Sequence, residues 1–217
     1  LTDDDVKLNY ENLIGILDYG TKWENRSELG ITVDSCFDVN YFGMYKPVEP
    51  SDTCVYIGNR YERDWCIDKY LCDGTRIYGN WAESKFDSKE RWPHLNFGPR
   101  VQHYQFKELY STALAVPLLA KQIYCYYGFM APRLTEAVFY GTLPLFIEEF
   151  TRNHVFCPKK LRKYLYIRDN SYIDRIKALS LDDRKDIIYT LRDHLSFIDA
   201  AYTAEAILKA YTQSKYY

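Results

Sequence analysis

Residues 124–146 read YCYYGFMAPRLTEAVFYGTLPLF. In this stretch Gly128 precedes Pro132, Arg133 and Glu136, and Gly141 precedes an apolar run that begins at Leu143. The order describes a glycine-bearing loop, a helix over Pro132–Tyr140, a glycine stop and a strand. Proline suits a first helical turn, where its missing N–H is no loss. Glycine suits the residue just past a helix end. The unpaired N–H groups of such a loop and first turn can bind an anion such as a diphosphate. Arg133 can add a charge-assisted hydrogen bond. Glu136, one turn in, can accept from two vicinal hydroxyls, as on a ribose. It equally fits the simpler role of a first-turn acid that offsets the helix dipole.

These residues need a scaffold, and the pattern after residue 53 supplies one. Cys54–Ile57, Thr75–Tyr78, Leu95–Phe97, Ala113–Leu119, Leu143–Ile147 and Leu165–Ile167 read as strands. Helices are predicted over Tyr61–Leu71, Phe106–Ser111, Ser171–Leu179, Leu181–Ile198 and Ala200–Ala210. The alternation predicts an α/β domain, a Rossmann-like parallel sheet with helices on both faces and a helical C-terminus. Ligands of such sheets sit outside the carboxyl ends of the strands. Gly58, Gly79, Gly98 and Gly128 are read at such ends, where a glycine admits close backbone approach or simply a tight turn.

The segment Lys46–Asp52, with two prolines, reads as a linker. It divides residues 1–53, with short apolar runs at Leu13–Leu17 and Gly30–Val33, from residues 54–217.

Composition narrows the function. Hydrophobic residues make up 47% of the chain and charged residues 27%, enough for a packed core. The formal net charge of -2 leaves no overall basic footprint for nucleic acid. The six cysteines form no C-x-x-C pair and are expected to be reduced, buried thiols. No metal site is expected. A signal peptide and a membrane-length apolar run are both missing from the sequence, so a cytoplasmic protein is expected. P-loop, G-x-S-x-G, H-E-x-x-H and G-x-G-x-x-G patterns do not occur. Asp18, Asp34, Asp38 and His154 are possible bases, but each fits an ordinary surface or loop position. Lys159, Lys160, Arg162 and Lys163 form a basic cluster that reads as a solvated face. The catalytic residue is not assigned.

The spacing Gly-x4-Arg-x2-Glu-x4-Gly-x2-Pro from Gly128 to Pro144 resembles the C-terminal motif of GT-B glycosyltransferases, in particular the CgeB-like and group 1 families. Val55–Arg63 is similar to the first strand and phosphate loop of that domain, and Phe97–Val101 to the segment whose backbone reads the base. The resemblance covers about residues 54–212. It implies the C-terminal half of a GT-B enzyme, with residues 1–53 a remnant of the N-terminal domain or the interdomain connection. The implied activity is transfer of a sugar from a nucleotide diphosphate sugar, with no cofactor and commonly no metal. Gly58, Asn59, Arg60, Gly98, Pro99, Gly128, Phe129, Arg133 and Glu136 are the implied donor contacts, with Arg63 a further phosphate candidate. Relatives carry a sugar-binding acid where this chain has Phe129, and a His-Thr pair where it has Tyr202-Thr203. A protein, glycan, small molecule or modified DNA base remains open as acceptor. An N-terminal domain or partner subunit is expected to complete the enzyme. A non-catalytic, partner-binding module of the same fold is the alternative.

Overall fold

The computed structural model describes residues 45–81, 88–128, 130–150 and 155–198, two strands near the N-terminus and a few positions between 204 and 212. The N-terminal strands, β1 (Gly15–Asp18) and β2 (Thr32–Ser35), pair in parallel with each other.

The sheet of the main body begins with β3 (Val55–Ile57), whose residues are all buried. A strand covered on both faces is read from a continuous apolar run, and this one is. It pairs in parallel with β4 (Arg76–Tyr78), which pairs with β5 (Asn96–Phe97). A second parallel set runs β6 (Val116–Pro117), β7 (Pro144–Ile147) and β8 (Tyr166–Ile167). The two sets join edge to edge. The Leu114 N–H donates to the Thr53 carbonyl at 2.9 Å, and the Val55 N–H to the Ala115 carbonyl at 3.0 Å. The spatial order is therefore β5-β4-β3-β6-β7-β8. Chain order reverses direction between β3 and β6, the doubly wound arrangement with a crevice at the reversal. The general right-handedness of parallel crossovers predicts helices of the two halves on opposite faces.

The helices are α1 (Asp64–Tyr70), α2 (Ser88–Arg91), α3 (Phe106–Ser111), α4 (Gln122–Tyr127), α5 (Arg133–Phe139), α6 (Arg162–Leu165), α7 (Ile173–Lys177) and α8 (Leu181–His194). Trp81, Trp92, Tyr56, Tyr70, Tyr110, Phe146, Phe150 and Phe156 fill the core between them. Several of the many tyrosines are thus core residues, while Tyr61, Tyr104 and Tyr126 are exposed. Cys54, Cys66, Cys72, Cys125 and Cys157 are free and buried.

Three sequence expectations change. The strand read at Ala113–Leu119 narrows to a two-residue ladder at β6, where Pro117 has no N–H to offer. Helices α2, α4 and α6 were not expected. Gly128 does not end a strand; it closes α4 in the left-handed region with φ 74°. Only glycine takes that conformation without cost, so the residue was legible and its setting was not. The helix expected at Ala200–Ala210 lies mostly outside the described residues, as do Tyr202 and Thr203.

Candidate functional site

The crevice opens where β3 and β6 diverge. At its floor Gly58 follows β3, and its N–H donates to the Tyr78 carbonyl at 2.8 Å. A Cβ on Gly58 would stand 2.3 Å from Arg133 Nη2 and 2.7 Å from the Tyr56 hydroxyl. Gly79, which ends β4 with φ 141°, would place a Cβ 2.0 Å from the Gly58 carbonyl oxygen. Trp81 Nε1 donates to that same carbonyl at 2.6 Å. The two glycines let backbone, indole and guanidinium converge on one point.

Helix α5 brings in the acid and the arginine. Pro132 is its N-cap residue with φ -51°. Arg133 turns back under β3: its Nε donates to the Ile57 carbonyl, and its guanidinium lies 4.9 Å from the centre of the Tyr56 ring. Burial works against the charge, but Tyr56, Tyr110 and Glu136 outweigh it and hold the pKa above the ordinary arginine value. One turn on, Glu136 accepts from the Tyr110 hydroxyl at 3.0 Å. Burial, then the Glu136 charge, push the Tyr110 phenol well above its usual range, so it stays a donor. The Tyr110 carbonyl in turn accepts from the Thr142 hydroxyl, tying α3 to the end of α5. A carboxylate has about four acceptor positions, and the Tyr110 phenol uses one of those of Glu136.

The loop after β3 carries the remaining cations. Arg60 forms a two-point pair with Asp64 at 2.8 and 2.6 Å, and Arg91 shares that carboxylate at 2.9 Å. The pairing with Arg60 raises the arginine pKa and lowers that of Asp64. Arg60 and Arg91 also both lie against Trp92, at 4.8 and 4.7 Å. Arg63 is buried and donates to Asn59 Oδ1 and the Tyr61 carbonyl, each at 2.8 Å. Between them Glu62 has φ 55°, a conformation that costs a non-glycine residue about 1–3 kcal/mol and tends to persist at functional sites. A cavity of about 1060 Å³ opens beside this loop, lined by Asn59, Arg60, Tyr61, Trp65, Asn80 and Gln122 among others.

The structure thus brings Gly58, Asn59, Arg60, Arg63, Arg133 and Glu136 to the ends of β3 and the start of α5. Gly128 caps the preceding helix, and Phe129 lies outside the described residues. Gly98 and Pro99 follow β5, two strands away from β3. The Gly98 N–H donates to the Ile77 carbonyl at 2.7 Å, and Tyr78 fills the space a Cβ would need. Asp18 and Asp34 belong to the β1–β2 pair, while Asp38 and His154 lie outside the described residues. Arg162 and Lys163 border a separate cavity of about 1000 Å³ that also presents Glu148 and Glu149. Sequence reading gave no site role to Tyr110, Tyr56 or Asp64. Only Asp64 left a signal, its i,i+4 spacing from Arg60. Among the described residues no group of His, Cys, Asp and Glu side chains is placed to hold a metal ion, and no helix is long and apolar enough to cross a membrane.

The sequence matches no protein-family profile and no curated protein. Solved structures do match. T4 phage β-glucosyltransferase is 22% identical with a TM-score of 0.63, covering 79% of this chain and 54% of its own. Another structure of that enzyme holds UDP and Mn2+. The pneumococcal O-GlcNAc transferase GtfA, in complex with UDP and GlcNAc, is 11% identical with a TM-score of 0.55, covering 85% of this chain and 40% of its own. TarM from S. aureus, as a variant in complex with UDP, is 12% identical with a TM-score of 0.56, covering 97% and 46%. The chain spans about half the length of these proteins. With its strand order, its switch-point crevice and these likenesses, the chain has the fold of the GT-B glycosyltransferases, as one Rossmann-like half.

Proposed function

We propose that the chain is the donor-binding half of a glycosyltransferase that takes its sugar from a nucleotide diphosphate sugar, with uridine diphosphate as the nucleotide. The observation that carries the reading is Glu136, one turn into α5 and oriented by the Tyr110 phenol. In this reading the carboxylate accepts from the vicinal ribose hydroxyls. The diphosphate lies beside Gly58, whose missing side chain lets the Arg133 guanidinium and the Tyr56 hydroxyl close on the backbone there. Arg60, Arg63 and Arg133 supply positive potential for the charge that develops on the departing diphosphate, an electrostatic contribution that is preorganised rather than recruited. Backbone near Gly98, Pro99, Gly128 and Phe129 completes the donor contacts. The base that activates the acceptor comes from outside residues 54–217. We read the chemistry as metal-independent and the setting as cytoplasmic; activity with and without a chelator tests the first.

For the acceptor, the balance of likeness favours a modified base in DNA. The T4 phage enzyme, described as DNA-modifying, is 22% identical, against 11–12% for GtfA and TarM. A non-catalytic module is the competing reading, favoured by the fact that Arg60, Arg63 and Arg133 all have protein partners already.

The test is calorimetric titration with UDP, UDP-glucose and GDP. The chain is expected to bind UDP and UDP-glucose, and Glu136→Ala to lose at least about tenfold in affinity, the scale of a charge-assisted hydrogen bond. Failure of the wild-type chain to bind any of these nucleotides removes the proposal. Binding without sugar transfer by the full-length protein to any acceptor selects the non-catalytic module.

A further inference from the structure

The loops that bound the crevice leave in different directions, one from β3 and one from β6. Lys121 stands at the end of the second and reaches the first. Its Nζ is 3.2 Å from Glu62 Oε2 and 4.0 Å from the centre of the Tyr61 ring. Tyr124, from α4, lies 5.7 Å from the same ammonium. Tyr61 and Glu62 both line the cavity at the crevice mouth, together with Gln122, the residue after Lys121. Lys121 therefore links the two loops and contacts residues that line the opening.

Three arginines of the site are more firmly held. Arg60 is paired at two points with Asp64. Arg63 is buried between Asn59 and the Tyr61 carbonyl. Arg133 is anchored to the Ile57 carbonyl and Tyr56. Lys121 instead has a single ion-pair contact, to a Glu62 side chain that is 52% exposed. Pairs of that kind are worth about 0–1 kcal/mol and break readily. Lysine is also a point charge on a flexible stem, able to re-aim its three donors where arginine's fork cannot. Glu62, which offers the paired carboxylate, has a positive φ of 55°.

Resting on the donor-site reading above, we infer that Lys121 is a further donor-positioning residue, parked on Glu62 and Tyr61 without ligand and transferred to the diphosphate when the nucleotide binds. Glu62 then acts as a competitor for the lysine. Its release from the pair is part of the binding step. The ligand class recognised is a nucleoside diphosphate, through its charge and not through its base or ribose.

The experiment compares UDP with uncharged uridine by calorimetric titration of the full chain and of K121M, K121R and E62Q. K121M is expected to lower UDP affinity about tenfold, the value of one charge-assisted phosphate contact, and to leave uridine affinity unchanged. K121R is expected to restore most of the loss. E62Q is expected to raise UDP affinity about two- to threefold, because a weak competing pair is removed. Rising salt is expected to weaken UDP binding more for wild type than for K121M. Unchanged UDP affinity in K121M overturns the inference. So does an equal loss for UDP and uridine, which marks a structural role, and so does weaker UDP binding by E62Q. If the wild-type chain binds neither ligand, the donor-site reading itself fails; if it binds both and K121M behaves as wild type, only the role of Lys121 fails.

Discussion

Gly58 has no room for a side chain, and the atoms that exclude one belong to the proposed site. A methyl group there would meet Arg133 Nη2 and the Tyr56 hydroxyl, at 2.3 and 2.7 Å. Gly58→Ala is therefore expected to displace Arg133 from the Ile57 carbonyl, to cost about 1–3 kcal/mol as an overpacking change, and to weaken UDP binding. Urea titration and calorimetry read the two effects; a variant as stable as wild type refutes the packing argument. Asp64 gives a prediction with a sign. Its hydrogen bonds from Arg60 hold the folded pKa below the unfolded value. Such a group stabilises fully above the ordinary carboxylate range, near pH 4, and loses its contribution as pH falls through the folded value. The urea midpoint of wild type is expected to drop more on acidification than that of Asp64→Asn, and parallel curves would refute it. Cys72 differs from the other described thiols. Hydrogen bonding with Cys54, and then with Thr75 and Tyr172, lowers its pKa to about 6, whereas burial pushes Cys66, Cys125 and Cys157 to about 12. Among the described thiols Cys72 is also the least buried, at 7% exposure, and iodoacetamide at pH 7.5 is expected to label it before Cys66 and Cys157, because the thiolate is the nucleophile. Peptide mass spectrometry showing Cys66 labelled as fast would refute that order.

At the scale of elements, α8 is what fixes α5. Ser180 caps α8 by accepting from the Asp183 N–H at 3.1 Å, and the Asp183 carboxylate returns a bond to the Ser180 N–H at 3.0 Å. The same helix carries Arg192, which is 6% exposed. Its guanidinium donates to the carbonyls of Val138 at 2.9 Å, Phe139 at 3.1 Å and Tyr45 at 2.5 Å. It thereby satisfies the open C-terminal end of α5, the helix that carries Arg133 and Glu136. Arg192→Leu is expected to cost about 2–4 kcal/mol, because it strands several buried carbonyls. Ser180→Ala should cost about 1 kcal/mol. A urea midpoint for Arg192→Leu no lower than that for Ser180→Ala would refute the ranking. None of this was legible in the sequence, and the reason is physical. The strands β3 and β7 announce themselves because burial on both faces demands unbroken apolar runs. The start of α5 shows through Pro132 and its close through Gly141, since backbone geometry selects those residues. Helix α4, QIYCYY, has no clear period and no side-chain N-cap to read. The bond from Tyr110 to Glu136 spans 26 residues, and Arg192 reaches Val138 across 54. Contacts of that range follow from strand order, which local spacing does not encode. Local spacing also misled at Gly128, where the same glycine serves a helix end as well as it would serve a strand end.

At the scale of the whole molecule, the crevice follows from topology before any side chain is considered. Strands β4 and β5 are added on one side of β3 and strands β6 to β8 on the other. The loops at the reversal must part, and they part beside the N-terminus of α5. A ligand held there bridges the two halves of the sheet, so its binding should stabilise the entire domain and not one loop. Ligand that binds only the folded state adds about 2.7 kcal/mol at a concentration one hundred times its Kd. For a chain of this size each kcal/mol raises Tm by about 2–4 °C. UDP at that concentration is thus expected to raise the melting midpoint by about 5–10 °C in a single cooperative transition. Glu136→Ala should shift far less at the same concentration, while uridine should stabilise both halves of the sheet through the ribose contact alone, at higher concentration. Equal shifts for wild type and Glu136→Ala would place the nucleotide elsewhere. A UDP-induced rise confined to one of two separate transitions would mean that β3 and β6 do not form one sheet in solution, because a ligand seated at their junction couples whatever they join.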